Sequence, residues 1–385
     1  MQLIRGLHNL ASGRARAAQA SASQVAAGCV ATIGNFDGVH LGHQAILEQL
    51  KALSRSAGLP LTVVIFEPQP REYFAGDQAP PRLTRLRDKV ALLAALGVDR
   101  VLCLPFNAAL RSLTANEFIE RVLIDGLGVR HLVVGDDFRF GCDRAGDFSL
   151  LKAVGHQRGF AVEHTRTFTL DDERVSSTRV RTLLASGNFY QAARMLGRPY
   201  AFQGRVVRDR QLGRTIGVPT ANIPLPQRPL AMRGVFACAT RLPDGEWVAG
   251  VANIGWRPTV GAERPMLEVH LLDRELDLYG SSLTVVPCAR LRGEIRFDGF
   301  DALVNQIRCD LDGARRYFVA ASGGAGASES VESPHDAPTA AIEETGIIAA
   351  TLPQSRFPLA SAPLPPEPSN ADAHAGPAPT DTRDD

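Results

Sequence analysis

Two histidines, His40 and His43, stand three residues apart in a glycine-rich segment near the beginning of the chain. The segment follows a short apolar run and leads into an amphipathic one, as where a strand passes into a helix whose free backbone N–H groups bind an anion. Two imidazoles that donate to phosphate oxygens stabilise the charge that builds up in phosphoryl or nucleotidyl transfer. We therefore predict a phosphate site, with nucleotide-binding roles for the residues around the pair: Gly34, Asn35, Phe36, Asp37, Gly38 and Gly42.

The alternative for this segment is a helix start whose histidines only form local hydrogen bonds. A histidine pair by itself would favour that alternative. So many residue types at fixed spacing favour the phosphate site.

A run of hydroxyl side chains opens a later helix. Ser176, Ser177 and Thr178 can cap its N-terminus, while Arg181 can bind phosphate oxygens through two N–H groups at once. The alternative is an ordinary helix cap beside a solvated arginine, and for this run alone the two interpretations are equally good. Together with the histidine segment, the run indicates a second contact to phosphate groups.

A second glycine-rich loop lies in the other half of the chain. Gly213, Arg214 and Gly217 can wrap main-chain N–H groups around a phosphate, and they predict nucleotide binding. The neutral oxygens of Thr220 and Asn222 are suited to Mg²⁺, which predicts a metal-binding role for both residues. No Gly-Lys-Ser/Thr follows the glycines, so the loop is not a Walker A loop.

The elements that must position the first site alternate between short apolar runs and amphipathic segments. This pattern predicts a doubly wound α/β domain over residues 1–187, a parallel sheet with helices on both faces. The predicted strands are Val30–Ile33, Leu61–Phe66, Arg100–Leu104, His131–Val134 and Ala161–His164. The predicted helices include Gly42–Ala57, Leu86–Leu96 and one that opens with a capping box at Thr114–Glu117.

After a predicted linker, residues 188–199, the texture changes to short β-branched runs broken by glycine and proline. These runs predict a small antiparallel barrel or sandwich over residues 200–320, with a final helix from Phe300 to Phe318. The predicted strands are Gly204–Val207, Gly234–Ala239, Val248–Asn253, Leu267–Leu271 and Leu283–Pro287. Residues 321–385 are rich in Gly, Ala, Ser and Pro and hold one aromatic residue, Phe357. Such a tail buries little apolar surface, and we expect it to be disordered.

Composition bounds the class of protein. The 385 residues, of which 45% are hydrophobic and 22% charged, suit two globular domains. No run of 18 apolar residues occurs, so we expect no integral membrane protein and no membrane partner. The six cysteines form no C-x-x-C pair, and reduced thiols suit a cytoplasmic protein. Residues 1–36 contain no acidic side chain, which leaves an organelle transit peptide as the weaker alternative.

The positive charge is concentrated outside the tail. Ten acidic and two basic side chains give residues 321–385 a net charge of −8, which leaves +9 for residues 1–320. Nearly all of that charge is arginine, which suits phosphate groups, although a GC-rich genome would produce the same bias. A ligand-responsive regulator that binds nucleic acid is a further hypothesis. A charge of +9 over 320 residues is mild and no helix-turn-helix signature occurs, so we expect no nucleic-acid partner.

The histidine segment resembles the H-x-G-H signature of nucleotidylyltransferases. Its G-x-F-D-G-x-H-x-G-H form is typical of prokaryotic bifunctional riboflavin kinase/FMN adenylyltransferases, also called FAD synthetases. Residues 135–141, with Gly146, resemble the flavin and adenine loop of that family, and residues 175–181 resemble its I-S-S-T-x-I-R motif. In the second half, residues 219–222, 250–259 and 267–273 resemble the kinase motifs, beginning with P-T-A-N.

The resemblance implies a Rossmann-like nucleotidylyltransferase domain followed by a small antiparallel riboflavin kinase barrel. It implies flavin binding by four residues: Asp137, Phe138, Asn253 and Arg257. It also implies that Glu268 is the general base that removes a proton from the terminal ribityl hydroxyl of riboflavin. By alternation with Leu267 and Val269 alone, Glu268 would instead be a strand residue that faces solvent.

The implied function is the phosphorylation of riboflavin to FMN, followed by the adenylylation of FMN to FAD with release of pyrophosphate. ATP, riboflavin and FMN are then the small-molecule substrates, and Mg²⁺ is the cofactor. Arg208 and Asp209 depart from the family's usual V-V-H-G pattern, and Trp256 replaces a usually small residue. The alternative is therefore an FMN adenylyltransferase alone, whose barrel binds flavin without phosphorylating it.

Overall fold

The computed structural model of the chain describes residues 1–10, 28–135, 137–165, 167–209, 212–226, 229–259, 262–323, 357 and 359–360. Within these residues the chain forms a parallel six-stranded sheet and then an antiparallel six-stranded sheet. A two-stranded ribbon, formed by strands β7 Thr169–Leu170 and β8 Glu173–Arg174, lies between them in sequence.

The first sheet is parallel throughout, with the order β1-β4-β3-β2-β5-β6. Its strands are β1 Gln2–Arg5, β2 Cys29–Ile33, β3 Leu61–Glu67, β4 Arg100–Pro105, β5 Val129–Val134 and β6 Ala161–His164. All five predicted strands are confirmed, and β1 is an additional edge strand. All five residues of β2 are buried, as expected for a central strand with both faces covered.

Helices cover both faces of this sheet. The longer ones are α1 Leu41–Ala57, α3 Leu86–Ala95 and α6 Phe148–Arg158, and the shorter ones are α2 Pro70–Ala75, α4 Ala108–Arg111 and α5 Ala115–Phe118. The predicted capping box is present: the Thr114 hydroxyl accepts from the Glu117 N–H at 3.2 Å, and the Glu117 carboxylate accepts from the Thr114 N–H at 2.9 Å. Helix α5 continues as a π-helix over Ile119–Leu127. One apolar cluster holds Leu47 and Leu92, and another holds Val122 and Leu151, so the sheet lies between two cores.

The second sheet closes into a nearly complete barrel. Its order is β10-β13-β12-β11-β14-β9, and a bridge between Val207 and Asn222 links the two ends. The strands are β9 Phe202–Arg205, β10 Ala221–Pro224, β11 Gly234–Arg241, β12 Trp247–Thr259, β13 Ala262–Leu271 and β14 Ser282–Arg292. A short helix, α9 Leu212–Thr215, precedes β10, and helix α10 Phe300–Gly323 packs on the outer face. Of the two predicted architectures, barrel or sandwich, the structure forms the barrel. Strand β10 was not predicted.

Two helices join the domains. Helix α7 Ser177–Ser186 ends the first domain, and α8 Phe189–Leu196 occupies the predicted linker 188–199. Their buried side chains share one core with the barrel interior, where the Phe189 and Phe236 rings lie 5.9 Å apart edge to face. The barrel is therefore packed directly on the helices that follow the first site.

Part of the predicted disordered tail is ordered. Helix α10 extends to Gly323, and Phe357, Leu359 and Ala360 pack against the barrel. Phe357 is 1% exposed, so the expectation of disorder does not hold for these residues. The aromatic ring and a leucine supply the apolar surface that the tail lacks in its average composition. The rest of the tail beyond residue 323 lies outside the described residues.

All six cysteines lie in the described part of the chain, and none is paired with another. Among the helices of that part, none is both long enough and apolar enough to cross a bilayer.

Candidate functional site

The parallel sheet has its switch point between β2 and β5, where the strand order reverses. Ligands of open parallel sheets bind at the carboxyl ends of the strands at this point. A cleft of about 410 Å³ opens there. Ten predicted site residues line it: Asn35, Asp37, His40, Gly42, His43, Asp137, Ser176, Ser177, Thr178 and Arg181.

The loop before helix α1 is held in an unusual backbone conformation. Phe36 and Val39 have φ values of 46° and 43°, in the left-handed region that costs a non-glycine residue about 1–3 kcal/mol. Gly38 has a φ of 84°, and a Cβ there would lie 2.8 Å from the Leu83 side chain. Such a conformation persists only where the surroundings fix it.

Buried side chains fix this loop through its carbonyl groups. Lys89, 1% exposed, donates to the Asn35 carbonyl at 2.6 Å. Arg198 donates to the carbonyls of Gly38 and Val39 at 2.6 and 3.2 Å. The Gln44 amide and the Ser177 hydroxyl hold the Val39 and Asp37 carbonyls at 3.0 and 2.8 Å. Because the loop carbonyls accept these hydrogen bonds, the positively charged side chains of Lys89 and Arg198 lie close to the site.

Lys89, Gln44 and Arg198 hold the loop of the candidate site in position, and the sequence did not reveal them. Their partners are carbonyl groups, so the partner side gives no sequence signal. Burial lowers the pKa of Lys89, and burial lowers that of Arg198 to about 10. Because the cation of each is desolvated, these hydrogen bonds are charge-assisted and strong.

The Asp37 carboxylate, 2% exposed, is bonded within the protein. It accepts from the backbone N–H groups of Leu83 and Thr84 at 3.1 and 3.0 Å and from the Arg181 guanidinium at 2.5 Å. Arg181 also donates to the Pro81 carbonyl at 2.6 Å. Asp37 therefore ties three segments together at the edge of the cleft: the predicted phosphate loop (residues 34–40), the 81–84 loop and helix α7.

The two histidines form a stacked pair at the start of helix α1. Their ring centroids are 3.7 Å apart, and His43 also stacks on Phe36 at 4.7 Å. His40 caps the helix: its Nδ1 accepts from the His43 N–H at 3.3 Å. Burial lowers the pKa of His40 to about 4 despite the opposing effect of Asp37. Burial, and then His40, hold the pKa of His43 well below its usual range.

Both rings are therefore neutral at pH 7. Since the Nδ1 of His40 accepts a hydrogen bond, its proton lies on Nε2. The Nδ1 of His43 is buried and has no partner among the described residues. Two neutral rings can each offer one N–H to an anion without repelling each other.

Ser176 caps helix α7 and accepts from the Arg179 N–H at 3.2 Å. The first residues of this helix line the cleft, so its N-terminus faces the same space as the N-terminus of α1. Two helix N-termini directed at one space favour a polyanion there.

Two predicted flavin residues are placed differently. Asp137 is exposed at the cleft, whereas Phe138 stacks on Phe140 at 5.5 Å and packs against the core. Phe138, together with Gly34, Phe36 and Gly38, does not line the cleft as it stands. Phe36 supports His43 from behind, and Gly38 shapes the loop.

In the barrel, three predicted residues form one row across neighbouring strands. Glu268 on β13 lies directly opposite Asn222 on β10 and Asn253 on β12. Directly opposed residues share a face of the sheet, so the three side chains are neighbours. Leu267 and Val269 point into the core, which places Glu268 on the outer face. Glu268 is half-buried and Asn253 is exposed, and the side chain of Arg257 lies outside the described residues.

The second glycine loop lies at one end of this row. Gly213 contacts the far end of its own loop: Val218 donates to the Gly213 carbonyl at 2.8 Å, and a Cβ at residue 213 would overlap the Val218 carbonyl oxygen. Gly217 has a φ of 73°. Thr220 and Arg214 line a small cavity of about 50 Å³ with Tyr279. The predicted loop residues and Thr220 are therefore brought together.

Two arginines converge on that tyrosine. The Arg208 and Arg214 guanidinium carbons lie 5.2 and 5.9 Å from the centre of the Tyr279 ring. Arg208, which departs from the family pattern, thus adds positive charge beside the predicted phosphate loop.

Asn222 is better suited to a metal ion that arrives bound to a nucleotide than to one held by protein side chains alone. Within the described ranges no group of three or more His, Cys, Asp or Glu could hold a metal ion. The Asn222 side-chain oxygen is buried and lacks a partner among those residues. A neutral, uncompensated oxygen of this kind suits Mg²⁺ that brings phosphate oxygens and waters as its other ligands.

The first domain is a parallel sheet with two helix N-termini at its switch point. The second is a barrel with a glycine loop and a Glu–Asn row. Together they indicate a two-domain ATP-dependent transferase. The FAD synthetase family model matches residues 22–179, and the riboflavin kinase family model matches residues 196–318. The bifunctional riboflavin kinase/FMN adenylyltransferase of Pseudomonas fluorescens is 52% identical over 316 residues, 82% of this chain and 97% of its own length. That of Escherichia coli strain K12 is 49% identical over 318 residues, 83% and 98% of the two chains.

This chain belongs to the family of bifunctional riboflavin kinase/FMN adenylyltransferases. A crystal structure from Streptococcus pneumoniae, titled a macrolide-efflux protein, is similar with a TM-score of 0.62 and 29% identity. The similarity covers 75% of this chain and 94% of that one, more than either domain alone. Because both catalytic domains are present, the bifunctional interpretation is supported over an adenylyltransferase alone.

Proposed function

We propose that this chain makes FMN and FAD at two separate sites. The barrel transfers the γ-phosphoryl group of ATP to riboflavin, and the parallel-sheet domain transfers the adenylyl group of a second ATP to FMN. The observation that carries the proposal is the convergence of the two histidines and the Ser176–Arg181 run on one cleft, with a second phosphate loop in the barrel.

In the adenylylation step, an oxygen of the FMN phosphate attacks the α-phosphorus of ATP, and the bond to the pyrophosphate group breaks. Negative charge grows on the α-phosphate oxygens and on the departing pyrophosphate. His40, as the neutral Nε2–H form, and His43 donate to the α-phosphate, which needs no rearrangement because packing already fixes both rings. The backbone N–H groups at the start of helix α7, including that of Ser177, hold the departing oxygens, and Arg181 adds positive charge near them.

In the kinase step, the terminal hydroxyl of riboflavin attacks the γ-phosphorus and ADP departs. Glu268 takes the hydroxyl proton. Asn253 lies directly opposite Glu268 on the neighbouring strand, and we propose that it orients the flavin. The exposed arginines beside Tyr279 attract the polyphosphate, and the glycine loop bonds it through main-chain N–H groups.

Enzymes of this class use ATP and a divalent metal, and we propose Mg²⁺ for this chain. Thr220 and Asn222 would hold it in the barrel together with phosphate oxygens. When bound, the ion neutralises part of the polyphosphate charge. We also propose a cytoplasmic location, where the six unpaired thiols stay reduced.

Chromatography of the products tests the proposal. The protein is incubated with ATP, Mg²⁺ and either riboflavin or FMN. FAD from both substrates supports two working sites. FAD from FMN alone would show that the barrel binds flavin without phosphorylating it, with Arg208, Asp209 and Trp256 as the first residues to exchange.

A further inference from the structure

The C-terminal segment around Phe357 occupies a defined place on the barrel. The Phe357 ring lies edge to face with Phe318 of helix α10 at 5.5 Å and 6.5 Å from the Trp247 ring of β12. It is 1% exposed, which makes it one of the most deeply buried side chains of the protein. Burying a phenylalanine side chain contributes about 2–3 kcal/mol, so this contact can order a short segment.

Backbone hydrogen bonds attach the same segment on both sides. The Ala360 N–H donates to the Cys288 carbonyl of β14 at 2.8 Å, and the Ala360 carbonyl accepts from the Tyr190 N–H at 3.2 Å. Tyr190 lies in the first turn of helix α8, where backbone N–H groups have no partner within the helix. One residue of the tail therefore bonds to the barrel and to the helix beside it.

The side chain between these contacts bridges the two cores. Leu359 packs against the interdomain core that includes Phe189, and it also packs against the outer barrel core that includes Phe318. The other end of helix α8 supports the phosphate loop, because Gln44 and Arg198 both donate to the Leu196 carbonyl at 3.0 and 3.1 Å. A continuous line of contacts thus runs from the tail to the adenylylation site.

We propose that Phe357, Leu359 and Ala360 form an intramolecular clamp that fastens helix α8 to the kinase barrel. The docking surface is formed by Trp247, Cys288, Phe318 and Tyr190, and its occupant is the C-terminal segment of the same chain. This clamp lies beyond the kinase family match, which ends at residue 318, and it goes beyond the two proposed activities.

Hydrogen–deuterium exchange of the full-length protein tests the clamp. Phe357→Asp places a charge in the apolar site and releases the segment, so fragments that contain Tyr190 and Ala360 should exchange at least tenfold faster. Phe357→Leu, which keeps an apolar side chain, should exchange much more slowly than the aspartate variant. Unchanged exchange in Phe357→Asp would overturn the proposal.

The receiving surface has a matched pair of variants. Phe318→Asp removes the partner ring, whereas Val319→Asp changes the next residue, which is 71% exposed. Fast exchange at Ala360 in the first variant and normal exchange in the second is the expected result. If Phe318→Asp does not fold, the Phe357 variants still decide, because they change no element of the barrel.

The occupant is tested by dilution. An intramolecular clamp gives the same exchange protection of Ala360 over a hundredfold range of protein concentration. Protection that is lost on dilution would assign the surface to the tail of a second copy and overturn the intramolecular proposal. Both measurements follow protection and not catalysis, so loss of either proposed activity leaves their outcome readable.

Discussion

The two proposed phosphate sites of this chain are built in opposite ways. In the parallel-sheet domain, the buried cations Lys89 and Arg198 bind the carbonyls of the phosphate loop and fix it before any nucleotide arrives. In the barrel, Arg208 and Arg214 remain near the surface on one tyrosine ring, and the row around Glu268 is partly open. A fixed loop suits a reaction in which charge stabilisation does most of the work. A partly exposed carboxylate suits one that needs proton removal.

The difference extends to the ionisation of the catalytic groups. Burial keeps His40 and His43 neutral, and the proposed mechanism uses them as hydrogen-bond donors. The same proposal uses Glu268, which lies half-buried on the outer face of the barrel, as a proton acceptor. Variants that remove each kind of group should therefore separate the two activities.

The largest expected effect is on riboflavin phosphorylation. Glu268→Gln keeps the size of the side chain and removes the base, so the rate of FMN formation should fall about 10²- to 10⁴-fold. Chromatography of FMN made from riboflavin measures it. FAD formation from added FMN is the internal control and should be unchanged, and an equal loss of both activities would point to misfolding.

The next effect is the converse. His43→Ala removes one donor to the α-phosphate and should slow FAD formation from FMN about 10²- to 10³-fold. Pyrophosphate release measures this rate. Phosphorylation of riboflavin by the same variant should stay within about twofold of the unchanged protein; a matching decrease would argue against separate sites.

A smaller effect is expected for Arg198→Met. The variant leaves the carbonyls of Gly38, Val39 and Leu196 without their cationic donor, and should lower the free energy of unfolding by about 2–4 kcal/mol. Denaturant unfolding measures it. Arg194→Met is the matched control on helix α8: its ion pair with Asp171 is exposed, so about 1 kcal/mol or less should be lost.

The smallest effect concerns pH. The pKa of His40 is lower in the folded protein, about 4, than its ordinary value of 6.5. The unfolded chain therefore binds more protons in this window, and stability should fall as the pH decreases from 6.5 towards 4. Between pH 7 and 5.5 the contribution of His40 is about 1 kcal/mol. His40→Gln should flatten this dependence, and an unchanged slope of unfolding free energy against pH would contradict the assignment.

Sequence patterns predicted the parts of the fold that repeat a local rule. The buried runs gave β2 to β6, and the Thr114 capping box gave the start of α5. Strand β1, Gln2–Arg5, was missed because four residues at a sheet edge carry too little periodicity. Strand β10 was missed because its first residues belong to the P-T-A-N motif, which we interpreted as part of a phosphate and metal site.

The sites divide in the same way. Motif spacing predicted His40, His43 and Ser176–Thr178, all of which line the cleft. Lys89 and Arg198 could not be predicted, because their partners are carbonyls brought close only by the folded chain. Phe357 could not be predicted either, since the average composition of the tail conceals a single anchoring side chain.

The most direct test of two separate sites is a mixing experiment with riboflavin, ATP and Mg²⁺. Glu268→Gln alone should give no FAD, and His43→Ala alone should stop at FMN. An equimolar mixture of the two variants should form FAD, because FMN released by one protein is adenylylated by the other. A mixture that accumulates FMN without FAD would contradict two independently acting sites.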